Sequence, residues 1–551
     1  MRRRFAHICV SVLCCCAAVH ANDTVYVSGG IQHDGLLEWH EKVTYPSNSY
    51  LDLSLHYRND SNKVHFRSLR ATTRAELVQW PLPGFETDFK GHGIGHLSLS
   101  AAFDWGEITV GDVYGQFGSG LVLNLYEDRA LGIDGALRGA KVEVSPYRGL
   151  NLTVLGGKQR RYWNCYHDHA WGWNYSRDAA LGGDVEIHIE QWSPRMQAKN
   201  MSLSVGGSYV SKYEAFDTII TPVEGRLMMY NLPRWVGAGD VRAEWQMSGW
   251  DVLVEYARKA NDPTIENGFS YRHGEALLVS AGYSRKGFAV LAQVKRTDNM
   301  SFRSERTRTG IAGRLNHLPT FAQHHTYALA AHYPYSTQYI AGEWAFQAEL
   351  CYTWARKTQM GGKYGTMLKV HASHIRGLAD KGSWAINTRP EGEFYTDVNV
   401  ELNKRLSKNW WLNAMLMYQT YNRLIVEGKG SLIRSGIAVV EGRVHVSDKV
   451  SMRAELQYLY TPHDEGQWVF ALYELSLWKR LTISGEWMYN IGGTEEAIHE
   501  HFYTVAATYS HKAHRLMLGY TKTQEGYHCS GGVCRFVPRQ EGLTLSYNFT
   551  W

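Results

Sequence analysis

The chain ends on residues 543–551, which read Leu-Thr-Leu-Ser-Tyr-Asn-Phe-Thr-Trp. Apolar and aromatic side chains at odd positions alternate strictly with polar ones at even positions. Successive side chains of a β-strand point to opposite faces of a sheet. This alternation therefore predicts a terminal strand with one apolar face and one polar face.

The same alternation recurs along the chain. Polar-face positions often carry full charges, and apolar segments often finish in Trp or Tyr, as expected for aromatic girdles at two membrane interfaces. A soluble sandwich shows the same alternation but not these strand ends. Because lipid offers unpaired backbone groups no water, such a sheet must close. We predict an all-β, transmembrane, antiparallel up-and-down barrel. The clearest alternating segments are residues 50–58, 96–105, 184–190, 241–247, 344–354 and 452–458.

Composition agrees with a barrel and excludes other classes. The 551 residues include 13% aromatics and 53 Gly, with a mean hydropathy of −0.35. After the first two dozen residues there is no apolar run of the roughly 20 residues that a helical membrane span needs. The formal net charge of +5 gives no support for a nucleic-acid partner.

The first 21 residues are typical of an export signal. Arg2, Arg3 and Arg4 precede an apolar stretch from Phe5 to Ala18, and residues 19–21 form a small-residue cleavage site. The apolar stretch is too short for a membrane anchor. We expect residues 22–551 to form one barrel domain in the outer membrane of a Gram-negative bacterium, surrounded by its lipids.

Short polar connections set the strand number. They occur at residues 105–107, 146–148, 248–249, 285–287, 407–409, 447–449, 479–480 and 512–513, and would be periplasmic turns. Counting up and down between them gives about 26 strands, within 24–28. The count includes Arg306–Leu315 and His325–Tyr333 in the weakest stretch. No plug domain is expected before the first strand.

One loop is outstanding, at residues 118–136, the third extracellular loop in this count. It begins Gly-Ser-Gly and continues into a charge cluster. Such a loop either folds into the lumen as a constriction that selects solutes, or packs there only to brace the barrel with its charges paired. The sequence favours neither. The charged residues are Glu127, Asp128, Arg129, Asp134 and, just inside the next strand, Arg138.

Charged residues on the predicted inward faces form a wetted lumen wall. No nucleophile-elbow serine, phosphate loop or metalloprotease motif accompanies them, so we predict no enzyme activity and no cofactor. The lumen-wall residues are Asp184, Glu186, Glu190, Arg242, Glu349, Arg453 and Glu455.

Two cysteine-containing segments could carry other chemistry. Cys529 and Cys534 frame a short Gly-containing loop, and the export route permits a disulfide, which we favour over two thiols. Cys165, His167 and His169 match no closed zinc pattern, so no metal site is predicted.

Several segments resemble a known family. Residues 116–121 (QFGSGL), 126–134 (YEDRALGID), 136–139 (ALRG), 331–335 and 529–538 are similar to a family of large, porin-like outer-membrane barrels of the Bacteroidota with no established activity. The resemblance implies an outer-membrane barrel and supplies no catalytic residues. The final strand ending at Trp551 also resembles the signal by which barrel-assembly machinery recognises its clients.

Two functions remain open at this point. The first is a porin-like channel for a polar solute or polymer, with residues 118–136 as the constriction. The alternative is a barrel scaffold or conduit in an envelope secretion or assembly complex, whose lumen is filled by loops or by a partner such as a lipoprotein.

Overall fold

A computed structural model describes residues 23–39, 43–59, 65–163, 178–215, 218–223, 226–530 and 533–551. The predicted export signal and the Cys165–His169 cluster lie outside the described residues. No helix in these ranges is both long and apolar enough to cross a membrane.

Twenty-four long strands form one antiparallel sheet, and the last strand pairs with the first, so the sheet closes into a barrel. The strands are β1 (Thr24–Trp39), β2 (Ser47–Arg58), β3 (Phe66–Trp80), β4 (Gly91–Phe103), β5 (Gly106–Val113), β6 (Leu137–Tyr147), β7 (Leu150–Gln159), β8 (Ala179–His188), β9 (Ser202–Tyr213), β10 (Trp235–Met247), β11 (Trp250–Lys259), β12 (Gly274–Arg285), β13 (Phe288–Asp298), β14 (Glu343–Trp354), β15 (Thr366–Gly377), β16 (Glu393–Arg405), β17 (Trp410–Asn422), β18 (Leu432–Ser447), β19 (Val450–Tyr460), β20 (Gln467–Leu477), β21 (Leu481–Gly492), β22 (His501–His511), β23 (His514–Thr523) and β24 (Gln540–Thr550).

Smaller elements lie mainly at the strand ends. A two-residue strand, Val43–Thr44, pairs with β1 and adds a twenty-fifth strand to the sheet. Within the described ranges, four short hairpins lie in loops: Gly115–Phe117 with Leu123–Leu125, Glu127–Asp128 with Ile133–Asp134, Ile220–Val223 with Arg226–Met229, and Gly526–Ser530 with Val533–Val537. The short helices are Thr87–Phe89, Ile189–Trp192, Pro194–Ala198, Pro390–Gly392 and Arg423–Glu427.

The strand alternation divides the barrel wall as the sequence predicts. Leu51, Val241 and Leu456 are exposed on the outer face, at 38%, 64% and 63%. Their polar neighbours in sequence therefore point into the lumen. All eight predicted short turns are present, each between two consecutive strands at the same end of the barrel. We call this the turn end and the opposite one the loop end.

The predicted number of 26 strands is two too high, although 24 lies within the predicted range. Arg306–Leu315 and His325–Tyr333 are not barrel strands. Both belong to residues 299–342, a long connection between β13 and β14 that we call the seventh loop. It passes inside the barrel, where its backbone has no continuous strand partner.

One lumen-wall prediction also needs correction. β8 ends at His188, and Glu190 lies in the Ile189–Trp192 turn rather than on the wall. There its carboxylate accepts a hydrogen bond from the Leu203 backbone N–H at 3.2 Å. The chain leaves the sheet here because the neighbouring strand β7 begins at Leu150, opposite Ile187, and offers no further partner.

Candidate functional site

The third loop, residues 114–136 between β5 and β6, lies against the lumen wall. Arg74 of β3 contacts Glu127 at 2.5 Å and Asp134 at 3.1 Å. Arg129 reaches Asp52 of β2 at 2.9 Å. The predicted charge cluster is therefore paired with charges of the wall.

The remaining members of the cluster are also engaged. Arg160 pairs with Asp134, and Arg138 pairs with Asp112 at 2.5 Å. Asp128 accepts hydrogen bonds from two backbone N–H groups of its own turn. Burial alone would raise the pKa of Asp134, but the guanidinium groups of Arg160 and Arg74 hold it below its ordinary value. This carboxylate is a charged anchor at neutral pH.

The Gly-Ser-Gly element brings the third loop's main chain against a second part of the wall, at β11. The Ser119 N–H donates to Glu255 of β11 at 2.9 Å. Gly118 has a φ of +51°, and a Cβ there would lie 2.8 Å from the Glu255 carboxylate. Glycine is therefore required both by the backbone conformation and by the close approach.

The first part of the seventh loop, residues 300–318, docks on the third loop. Asn316, which is 2% exposed, donates to Leu121 O at 2.9 Å and Met300 O at 2.8 Å, and accepts from Phe302 N at 3.2 Å. Leu121, Phe302 and Leu315 are fully buried in one apolar cluster. Together the two loops fill one side of the lumen; we call this the sealed half.

Buried ion pairs fix the seventh loop to its surroundings. Arg303 pairs with Glu266 at 2.5 Å, and Arg306 pairs with Glu214 at 2.8 Å. Lys295 of β13 holds Glu343 at 2.8 Å and donates to Pro319 O at 2.6 Å. Because breaking such buried pairs leaves an uncompensated charge, they oppose displacement of the loop.

The second part of the seventh loop crosses the wall of the other half. Residues 323–329, here called the strap, run across β16, β18 and β19. The contacts are Gln323 with Asn399 at 2.8 Å, His325 with Asp397 at 2.5 Å, Tyr327 with Glu441 at 2.8 Å, and Leu329 N with Gln457 at 2.8 Å.

Side chains of the strap alternate in exposure. Residues 325, 327 and 329 are buried against the wall, while 324, 326 and 328 are exposed toward the lumen. An extended segment produces this pattern whether its backbone pairs in a sheet or not. The prediction of a barrel strand at His325–Tyr333 rests instead on the up-and-down count, which requires two strands between residues 301 and 341.

Two cavities meet at the strap. The turn-side cavity, about 690 Å³, is lined by Trp411 and His445 near the turns. The loop-side cavity, about 670 Å³, is lined by Lys429 and Gln524 in the outer loops. Both linings include residues 323–325 of the strap. We call this part of the lumen the cavity half.

The loop-side cavity has a charged mouth and an aromatic interior. Arg423 pairs with Glu427 at 2.9 Å and also with Asp464. The Glu465 carboxylate accepts from the Gln524 amide at 2.6 Å. Burial, followed by the neighbouring charge of Asp464, raises the pKa of Glu465 to about 7.

Most predicted lumen-wall residues face inward but do not converge on one site. Arg242 pairs with Asp184 at 2.7 Å beneath the sealed half. Arg453 contacts Glu455 at 2.6 Å, beside the turn-side cavity. Glu186 lies 3.7 Å from His188, and Glu349 lies opposite His371 in the sheet.

Sequence reasoning missed the strap and its wall partners. The available signal was that residues 301–341 show the weakest alternation and contain four arginines and two prolines. A segment too polar and too irregular for lipid-facing strands is compatible with a lumen.

For the predicted disulfide, the backbone register places Cys529 directly opposite Cys534 in the last loop hairpin. The disulfide itself stays a prediction. Within the described residues, no group of three or more His, Cys, Asp or Glu side chains could hold a metal ion.

The fold and its contents define a closed 24-strand antiparallel barrel that carries two of its own loops in the lumen. The chain belongs to the Family of unknown function DUF6029, whose family model matches residues 1–551. No curated protein matches it in sequence.

Among solved structures, the siderophore receptor PirA from Pseudomonas aeruginosa is 10% identical, with a TM-score of 0.43, 97% of this chain covered and 81% of that chain. OccK3 (OpdO) of Pseudomonas aeruginosa is 13% identical, with a TM-score of 0.38 and coverages of 80% and 96%. OccAB2 of Acinetobacter baumannii is 9% identical, with a TM-score of 0.34 and coverages of 96% and 98%.

Proposed function

We propose that this protein is an outer-membrane channel that passes a polar solute along the cavity half of its lumen. The observation that carries the proposal is the meeting of two cavities at the strap, one lined by residues near each end of the barrel. The strap, rather than the third loop, would then be the constriction.

Membrane insertion is supported by the outer face of the barrel. Its exposed side chains include Leu416 at 68%, Val505 at 55% and Leu543 at 47%, on strands far apart in the sequence. Water would oppose so much exposed apolar surface, whereas lipid accommodates it. The closed sheet leaves no unpaired edge, which lipid requires. We place the barrel in the outer membrane of a Gram-negative cell, with its lipids as partners.

The third loop has a bracing role in this proposal. Glu127, Arg129 and Asp134 are each engaged with charges of the wall, so few of their charges remain to select a passing solute. This favours bracing over constriction for residues 118–136.

Single-channel conductance in planar bilayers separates the two roles. One variant replaces residues 322–330 by an equally long Gly-Ser segment, and the matched variant carries Glu127→Gln with Arg129→Gln in the third loop. We expect the strap variant to conduct several times more current than the native protein, because it removes the three side-chain contacts that Gln323, His325 and Tyr327 make with the wall. The third-loop variant should change conductance little.

If the third-loop variant conducted much more current than the strap variant, the third loop would be the constriction. Absence of conductance in both the native protein and the strap variant, with folding verified by heat-modifiable mobility on gels, would refute the channel.

The sealed half favours a second candidate function, a scaffold or conduit within an envelope secretion or assembly complex. A lumen half filled by fixed loops resembles a structural plug more than a pore wall. Affinity purification from native membranes tests this candidate. A stoichiometric lipoprotein or secretion component would support it, and recovery of the barrel alone would count against it.

Barrel-assembly machinery is a further proposed partner, through the strand that ends at Trp551. In the folded barrel this strand closes the sheet, since Trp551 exchanges two backbone hydrogen bonds with Gly29. Recognition of β24 by the machinery would have to precede this closure.

A further inference from the structure

The turn end of the barrel is strongly basic. Its eleven connections are residues 59–65, 104–105, 148–149, 189–201, 248–249, 286–287, 355–365, 406–409, 448–449, 478–480 and 512–513. Among their described residues, the acidic ones are Asp104, Glu190 and Asp448. The basic ones, which we call the turn ring, are Arg148, Arg195, Lys199, Lys286, Arg356, Lys357, Lys363, Lys408, Lys449, Lys479, Arg480 and Lys512.

These basic side chains are available to an external partner. Every member of the turn ring is exposed. Within the part of the chain that the structure describes, none of them forms an ion pair with a carboxylate of the protein. Their charges repel one another, so a ring of this kind is stabilised by anions from outside.

The loop end differs. The neighbouring loops 461–466 and 493–500 carry acidic residues but no Lys or Arg. Arg129 of the third loop, and Arg303 and Arg306 of the seventh, are paired with carboxylates inside the lumen. The unpaired basic charge is thus concentrated at one end of the barrel.

Exposed aromatic rings accompany the turn ring. Tyr147 is 66% exposed beside Arg148, Trp410 is 54% exposed near Lys408, and Trp478 is 61% exposed beside Lys479. Trp and Tyr next to Lys and Arg is the composition of segments at the headgroup level of a bilayer.

We propose that the turn ring binds the phosphate groups of anionic phospholipid headgroups in the leaflet around the turn end. A protein partner would be served by a patch on one side. The basic residues instead occupy eight turns, from residue 148 to residue 512, around most of the barrel. A surrounding leaflet is the partner with that shape. The inference rests on the membrane insertion proposed above but not on conduction.

Electron paramagnetic resonance of spin-labelled lipids tests this. The folded barrel is reconstituted in phosphatidylcholine vesicles with a trace of spin-labelled phosphatidylglycerol or spin-labelled phosphatidylcholine, so that both ends meet the same lipid. The immobilised fraction of each probe gives their relative association with the barrel. We expect the anionic probe to be preferred about threefold, because each basic residue near a headgroup adds attraction. The preference should fall at about 1 M salt, where the Debye length is only about 3 Å.

Matched variants locate the effect. Replacement of three turn-ring residues, Lys286→Gln, Lys408→Gln and Lys479→Gln, should lower the preference toward one. Replacement of three loop-end residues, Lys90→Gln, Lys381→Gln and Arg389→Gln, should leave it unchanged.

Equal association of both probes with the native barrel would overturn the proposal, as would an equal loss in the two variants. The proposal would also be overturned if the turn-ring variant kept the native lipid preference but no longer bound an acidic envelope protein that the native barrel pulls down. A barrel that immobilises neither probe is not inserted, which identifies failure of the membrane placement; conductance, recorded separately, reports on the channel.

Discussion

The sealed half and the cavity half of the lumen begin from the same kind of wall. Inward-facing acidic and basic side chains line both, because the strands alternate throughout. In the sealed half, loop residues cover the wall charges and pair with them, as Glu127 does with Arg74. In the cavity half, the strap covers Asp397 and Glu441, but Arg453 stays beside a cavity. The comparison teaches that the loops, and not the wall, decide where a passage remains.

The largest expected effect is loss of a buried charge from the sealed half. Arg303→Ala would leave Glu266 without its cationic partner and the carbonyls of Gly310 and Ala312 without this donor. We expect the free energy of local opening of residues 300–318, the first part of the seventh loop, to fall by about 3–5 kcal/mol. Hydrogen exchange of the Leu315 amide, which bonds to Phe302 O, measures it.

The control for this prediction lies in the cavity half. Arg443 pairs with Glu441, but its side chain is 61% exposed. Arg443→Ala should cost less than about 1 kcal/mol, since exposed pairs contribute little. A similar loss of stability in Arg303→Ala and Arg443→Ala would show that ion pairs of the sealed half contribute no more than those of the cavity half.

A smaller effect is expected where the two loops join. Asn316→Ala would leave the carbonyls of Leu121 and Met300 without this donor and the Phe302 N–H without its acceptor. We expect a loss of about 1–3 kcal/mol in the opening free energy of the third and seventh loops together. Exchange that accelerates in residues 300–318 alone would contradict joint opening.

The strap should respond more weakly and locally. Tyr327→Phe removes the hydroxyl that donates to Glu441 and accepts from Asn413. We expect a loss of about 1 kcal/mol in strap stability and a modest rise in conductance. Unchanged hydrogen exchange at Leu315 is the control, because the sealed half should not be affected.

The smallest effect concerns pH and the loop-side mouth. With its pKa near 7, Glu465 is neutral below that pH and anionic above it. Cation preference of the conductance should therefore rise between pH 6 and pH 8, by less than about fivefold for one charge in water. Glu465→Gln should flatten this dependence; a persistent rise would assign it to another group.

The sequence predicted the barrel well because its strands obey one physical rule. Residues 344–354 face lipid and water alternately, and that requirement is visible in a single strand. The turns at 248–249 and 512–513 were also visible, since they are short and polar between such strands. The third loop could be singled out by its glycines and charges.

The lumen contents could not be predicted in the same way. Side chains of the strap alternate in burial because they contact Asp397, Asn399 and Glu441. These residues lie far ahead in the sequence, on β16 and β18. A local pattern cannot tell a backbone ladder from side-chain contacts of this kind. Because strands of an up-and-down barrel are counted in pairs, residues 306–315 were also predicted to be a strand, and this prediction was wrong.

Closure of the barrel between Gly29 and Trp551 has a consequence for the loops inside it. These hydrogen bonds join the two ends of the chain, so they can form only after nearly all of the polypeptide has arrived. While the sheet is still open, the third and seventh loops can settle on its inner face from the side. Once it closes, they can leave only through the mouth, past the charges that hold them. Pairing of β24 with β1 thus traps the third and seventh loops in the lumen, so that their release is slow as well as unfavourable.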